Sequence, residues 1–148
     1  MKPKAIVFDI DGVLVKSDFL LKETEELELQ GDLKWDYFYN HLDRAEIIPQ
    51  MELIYKSIRY GNPELYCLLC TARNVRSKEN TLRKLAENQI ACDGIYMRSE
   101  CDLRSDTDVK RDLLKQIQEQ YDIVAFIDDK EDNCNIAKSL GIFSLRVV

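Results

Sequence analysis

KAIVFDIDGVLV, residues 4–15, is the stretch on which the reading of this chain turns. An apolar run, Ala5-Ile6-Val7-Phe8, ends in Asp9 and Asp11, with Gly12 directly after. Two carboxylates this close resist joint ionisation, so the arrangement costs stability unless a cation relieves it. Short, nearly continuous apolar runs of this kind read as strands buried on both faces. Four more follow, at 64–69, 94–97, 123–127 and 142–147. Helical spacing appears between the later ones. Residues 77–89 carry Leu82, Leu85 and Ala86 behind Ser77 as N-cap, and 107–120 carry Val109, Leu113, Leu114 and Ile117 behind Asp106 as cap. Residues 130–140 close on Gly141, in the position glycine favours after a helix. Strands alternating with helices predict an α/β fold with a mostly parallel five-stranded sheet.

A chain of 148 residues suits one domain, 1–148. Its only departure from alternation is an insertion after the first strand, at about 16–62. There Trp35, Phe38, Tyr39 and Leu42 recur at helical spacing, which predicts a face packed on the domain rather than a base-stacking platform. No apolar run approaches the roughly 18 residues of a membrane span, so no membrane partner is expected. The N-terminus does not read as a signal peptide, and five cysteines, an odd number, point to a reducing, cytoplasmic location. Cys67 and Cys70 form a C-x-x-C within a strand, where that spacing sends the side chains to opposite faces; they read as buried structural thiols. Net charge is −6, yet residues 71–115 carry 10 basic against 8 acidic side chains. This one net-basic segment is where an anionic substrate is expected to lie.

Ligands of open α/β sheets bind beyond the carboxyl ends of the strands. Asp9 and Asp11 follow the first strand and Thr71 the second. Lys110 opens the helix after the third, and Asp128, Asp129 and Asp132 follow the fourth. Each element alone is common; all four in order point to phosphoryl transfer. A phosphomonoester is a dianion, so acids beside it need a cation between them, and Mg²⁺ takes carboxylates together with phosphate oxygens. Asp9, Asp11 and Asp128 are the candidate ligands for it. Asp9 is the candidate nucleophile, forming an aspartyl-phosphate. Asp11 is the candidate acid and base, protonating the leaving oxygen and then activating water. Thr71 and Lys110 are expected to bind the remaining phosphoryl oxygens, and Gly12 to let the backbone approach the phosphate. Asp129 and Asp132 read as outer-shell groups of the metal or as loop anchors. His41, the only histidine, carries no assigned role.

FDIDGVL, LLCTAR, the lysine of DVKRDLL and IDDKEDN resemble the four motifs of the haloacid dehalogenase superfamily, phosphatase branch. The resemblance implies a three-layer Rossmann-like fold and Mg²⁺-dependent hydrolysis of phosphomonoesters. KPKAIVFDIDG, DLRSDTDVKRDLL and FIDDKEDN are similar, more narrowly, to the 3′-phosphatase domain of phage-type polynucleotide kinase. That likeness implies removal of 3′-phosphate from DNA or RNA ends. It also implies substrate contacts by Arg73 and Arg104, whose alternative reading is pairing with Asp102, Asp106 or Asp132. No G-x-x-x-x-G-K-[ST] occurs, so a free-standing phosphatase module with a separate kinase partner is expected. Three rivals stand beside this reading. A receiver-type signalling domain would need its phospho-accepting aspartate after the third strand, and a silent binding module would lack motif residues. A phosphatase of mononucleotides or small phosphometabolites keeps every motif and differs only in substrate. No large lid fits between Thr71 and Lys110, so a rather open site is expected.

Overall fold

The computed structural model describes all 148 residues. Five parallel strands, β1 (Lys4–Phe8), β4 (Tyr66–Asn74), β5 (Gly94–Arg98), β6 (Asp122–Asp128) and β7 (Ser144–Arg146), lie in the order β5-β4-β1-β6-β7. The period of two along each strand divides the core. Ile6 and Phe8 of β1, Cys67 and Leu69 of β4, and Ala125 and Ile127 of β6 face one way. Ala5, Val7, Leu68, Cys70 and Phe126 face the other. Against the first face lie α3 (Pro49–Gly61), through Met51 and Tyr55, and α4 (Lys78–Ala86), through Leu85. Against the second lie α5 (Asp106–Gln120), through Leu114 and Ile117, and α6 (Glu131–Ser139), through Ala137. Three layers result, and crossovers change face beside β1, which opens the crevice between β1 and β6 where such sheets bind ligands.

The insertion divides in two. A ribbon of β2 (Val15–Lys16) and β3 (Glu46–Ile47) frames α1 (Asp18–Glu26) and α2 (Gly31–Asn40). These two helices and the 3-10 turn after them share a small apolar cluster of Leu20, Phe38, Tyr39 and Leu42. Helix α3 instead returns to the main core: Tyr55 is fully buried, its ring 4.8 Å from that of Phe8, and its hydroxyl donates to Ala91 O at 2.7 Å. The part that stands off the main core is therefore 17–44.

Several boundaries differ from expectation. Strand β4 starts later and runs to Asn74, because pairing with β5 continues past the end of β1 through Thr71↔Met97 and Asn74↔Arg98. The last strand is short, because the Ile142 N–H is taken by Ala137 O at the end of α6. Ser105, not Asp106, caps α5, its Oγ accepting from Asp108 N–H at 3.2 Å. Ser77 precedes α4 but donates its hydroxyl to Asn74 O instead of capping. The two cysteines of the C-x-x-C do lie on opposite faces of the sheet. Burial pushes the Cys67 thiol up to about 11 and the Cys70 thiol up to about 12, so neither is a reactive thiolate at neutral pH. No helix is long and apolar enough to cross a membrane.

Candidate active site

Asp9 is the first residue beyond β1, its N–H donating to Ile127 O at 2.8 Å. This bond ties it to β6, which ends in Asp128, fully buried. Lys110, in the second turn of α5 and 1% exposed, reaches under both. Its Nζ donates to Asp9 Oδ1 at 2.7 Å, Asp128 Oδ2 at 3.1 Å and Cys70 O at 2.7 Å. All three ammonium protons are thus committed. Asp128 is held further by the Lys130 N–H at 2.9 Å and the Asn133 side-chain amide at 3.1 Å. Lys110 stays protonated well above the usual lysine range: burial opposes its charge, and Asp9 and the neighbouring groups outweigh burial. Burial raises the Asp9 carboxyl to about 7, with Asp128 adding to the rise and Lys110 opposing it.

One carboxylate more completes a group. One oxygen each from Asp9, Asp128 and Asp129 lies within 4.8 Å of the others. Asp129 Oδ1 is buried without a hydrogen-bond partner, and burial together with Asp128 raises its carboxyl. Three acids against one lysine leave negative charge uncompensated in a low-dielectric site. An all-oxygen set with an orphaned buried acceptor fits a hard divalent cation. Gly12 belongs to this arrangement. Its φ of +81° suits glycine, and a Cβ there would overlap the Asp129 carboxylate.

Asp11 is separated from that group. Its carboxylate accepts from Arg73 Nε at 2.8 Å and Nη2 at 2.6 Å, and from the Ser17 hydroxyl at 2.7 Å. Burial would raise the Asp11 carboxyl, but the Arg73 guanidinium prevails and holds it below the usual range. Thr71 is buried, its Oγ1 accepting from Arg73 N–H at 3.1 Å and its own proton left uncommitted. Arg104 is half exposed and pairs with Asp102 at 2.8 Å and Asp112 at 2.6 Å. Asp132 is exposed on α6 and stands outside the carboxylate group. His41 sits at the end of α2, its Nδ1 2.7 Å from Tyr37 O.

Asp9, Asp11, Thr71, Arg73 and Lys110 open into a cleft of about 380 Å³. One wall is the net-basic segment, which supplies Arg73, Arg76, Arg98 and Arg104. The opposite wall is the projecting part of the insertion, through Leu21, Trp35, Phe38 and Tyr39. Phe38 and Tyr39 are buried as expected of a packed face, whereas Trp35 remains 38% exposed. Ser17, Arg98 and Asn133 went unrecognised in the sequence. Their signal is weak, because each acts by holding another residue. Asn133 and Ser17 orient Asp128 and Asp11, and Arg98 ties Ala72 O to the 102–106 loop.

A sheet of this order with acids, a hydroxyl and a lysine on one rim is that of a haloacid dehalogenase-like phosphatase, a phosphoric monoester hydrolase. The chain belongs to the family described as the polynucleotide kinase PNKP phosphatase domain, whose model matches residues 3–148. Among solved structures it is similar to a chain of a Pnkp1/Rnl/Hen1 complex, at 24% identity and a TM-score of 0.77 over 99% of this chain and 46% of that one. A chain of the Pnkp1/Rnl/Hen1 RNA repair complex gives 24% and 0.78 over 99% and 42%. A haloacid dehalogenase-like hydrolase from Streptococcus pneumoniae gives 18% and 0.73 over 97% and 84%. The chain therefore spans less than half the length of the first two. No curated protein matches it.

Proposed function

We propose that the protein removes 3′-phosphate from polynucleotide ends through an aspartyl-phosphate on Asp9. The observation that carries this reading is the Asp9–Lys110–Asp128 constellation at the switch point of the sheet, opening into an arginine-lined cleft. The Asp9 oxygen attacks phosphorus and the bond to the 3′ oxygen breaks, with Asp11 as the proton donor to the leaving oxygen. Water then attacks the same phosphorus, giving its proton to Asp11, and the carboxylate of Asp9 is released with inorganic phosphate. Arg73 holds Asp11 ionised, the form that takes a proton from water; donation in the first step requires the Arg73 contact to open. Thr71 offers its hydroxyl proton to a phosphoryl oxygen. Lys110 neutralises and orients the Asp9 carboxylate.

Asp9, Asp128 and Asp129 would hold a divalent cation, Mg²⁺ by the hardness of the donors, with Asp129 in the place expected for the Asp11 carboxylate. A cation bound there supplies neutralisation between the nucleophile and the phosphate dianion. Arg73 and Arg104 contribute positive charge to the wall that faces the substrate. The family pairs such a phosphatase with a polynucleotide kinase, and a kinase partner, in the same or another chain, is part of the proposal. Five free cysteines support a reducing, cytoplasmic setting.

The decisive experiment compares kcat/KM for a 3′-phosphorylated oligonucleotide, a 3′-mononucleotide and an aryl phosphate. A clear advantage for the oligonucleotide is expected. Equal turnover of all three would reduce the assignment to a phosphatase of small phosphoesters.

A further inference from the structure

Four arginines line the cleft, and in three of them every guanidinium nitrogen already donates a hydrogen bond. Arg73 gives Nε, Nη1 and Nη2 to Asp11 and Thr81. Arg98 gives the same three nitrogens to Ala72 O, Asp102 O, Arg104 O and Asp106. Arg104 gives them to Asp102 and Asp112. Arg76 differs. Its guanidinium makes no hydrogen bond, its Nε is buried without a partner, and its only ion pairs are with Asp32 and Asp36, each at 3.4 Å. Both acids are well exposed, at 84% and 50%, so losing either contact to an incoming anion costs little.

Trp35 lies on α2 between those two acids and faces the same cleft. Its ring is backed by buried neighbours: Tyr39 stacks at 6.3 Å between centroids and Phe38 meets it edge-on at 6.1 Å. Helix α2 is fixed in turn against the end of β4. The Tyr39 hydroxyl accepts from Asn74 N–H at 3.0 Å, and the Asn80 side-chain amide donates to Tyr39 O at 3.1 Å. A half-exposed indole on a rigid support thus stands beside an underused guanidinium, with the Lys34 ammonium 5.0 Å over the same ring.

We propose that Arg76 and Trp35 form a subsite for the nucleotide preceding the phosphorylated one, and that this subsite sets a preference for single-stranded ends. The inference rests on the polynucleotide reading above. The Arg76 fork takes the bridging phosphodiester in place of Asp32 and Asp36, since a guanidinium matches two phosphate oxygens at once. The indole stacks the preceding base, an interaction open to every base because each has a π-face. A base that stacks on Trp35 has left its own helix, so a paired end must fray before it can bind.

The test measures kcat/KM for a 3′-phosphorylated trinucleotide and for a 3′-mononucleotide, in the full chain and in Arg76→Ala and Trp35→Ala, with an aryl phosphate as control for folding. Each substitution should lower the trinucleotide value about tenfold, through KM, since stacking one base or binding one phosphate carries roughly that factor. Values for the mononucleotide and the aryl phosphate should stay within about twofold in both variants. Trp35→Phe should restore most of the loss, and Arg76→Ala should flatten the salt dependence of the trinucleotide KM by about 0.7 on logarithmic axes. An unchanged trinucleotide-to-mononucleotide ratio in both variants overturns the subsite. So does a parallel loss on all three substrates, which marks a structural role. If the unsubstituted protein already treats the trinucleotide and the mononucleotide alike, the polynucleotide reading itself falls; if it prefers the trinucleotide and the variants do too, only the subsite falls.

Discussion

Asp9 and Asp11 stand two residues apart and meet opposite surroundings. Asp9 turns toward Asp128 and Lys110 and is raised to about 7, with burial the main cause; Asp11 turns toward Arg73 and is held low. Divergent environments for neighbouring carboxylates are how one site obtains two roles. Asp9→Asn is therefore expected to abolish turnover of an aryl phosphate while leaving the circular dichroism spectrum unchanged, and retained turnover would remove Asp9 as nucleophile. Gly12→Ala should act differently. The left-handed φ costs about 1–2 kcal/mol for a residue with a Cβ, and displacement of Asp129 should weaken the cation site. Urea unfolding with and without Mg²⁺ should show lower stability and a smaller gain from the ion. Gly12 was legible as a point of close approach. That it approaches a carboxylate was not, because Asp129 is 117 positions away in the chain.

At the level of elements, the alternation of strands and helices was readable, since buried parallel strands leave continuous apolar runs. Element ends were less so. The polar residues of CTARN look like a loop, yet they continue β4 because β5 pairs with them beyond the edge of β1. The segment 16–62 read as one insertion, but Met51 and Tyr55 commit α3 to the core while the helices before it stand over the cleft. Helix α2 is held there by few bonds, so each matters. Tyr39→Phe leaves the buried Asn74 N–H without its acceptor, and an unsatisfied buried donor costs about 1–3 kcal/mol. Thermal unfolding should register that loss, and amide exchange at Asn74 should accelerate; an unaltered exchange rate would show that α2 is positioned by packing alone.

For the molecule as a whole, charge distribution is the organising feature. Net charge is −6, but the basic middle segment forms one wall of the cleft, and Asp9 and Asp11 beyond the first strand open into it. A carboxyl raised in the folded state from 3.8 to about 7 is ionised first in the unfolded chain. The stability Asp9 contributes is thus fully present below about pH 4 and is lost as pH rises through about 7. Without a divalent cation, the thermal midpoint should fall across that interval. Mg²⁺ should raise the midpoint most at the alkaline end, because it binds the ionised carboxylates of the folded state. In turnover, EDTA should stop the reaction and Mg²⁺ should restore it; a rate indifferent to chelation would remove the metal from the site.

The α/β class, the parallel strands and the acids, hydroxyl and lysine at their ends are readable in the order of residues along the chain. Periodicity and the order of residues along a strand are local properties, and chemistry placed just past an apolar run must emerge at a sheet rim. How those groups pair is set by the folded packing. It sent Asp11 to Arg73, brought Asp129 to Asp9 and Asp128, spent all of Lys110's protons below the site, and left Arg76 underused beside Trp35. Such pairings depend on distances between residues tens of positions apart, which the packing of the three layers sets and no local pattern encodes.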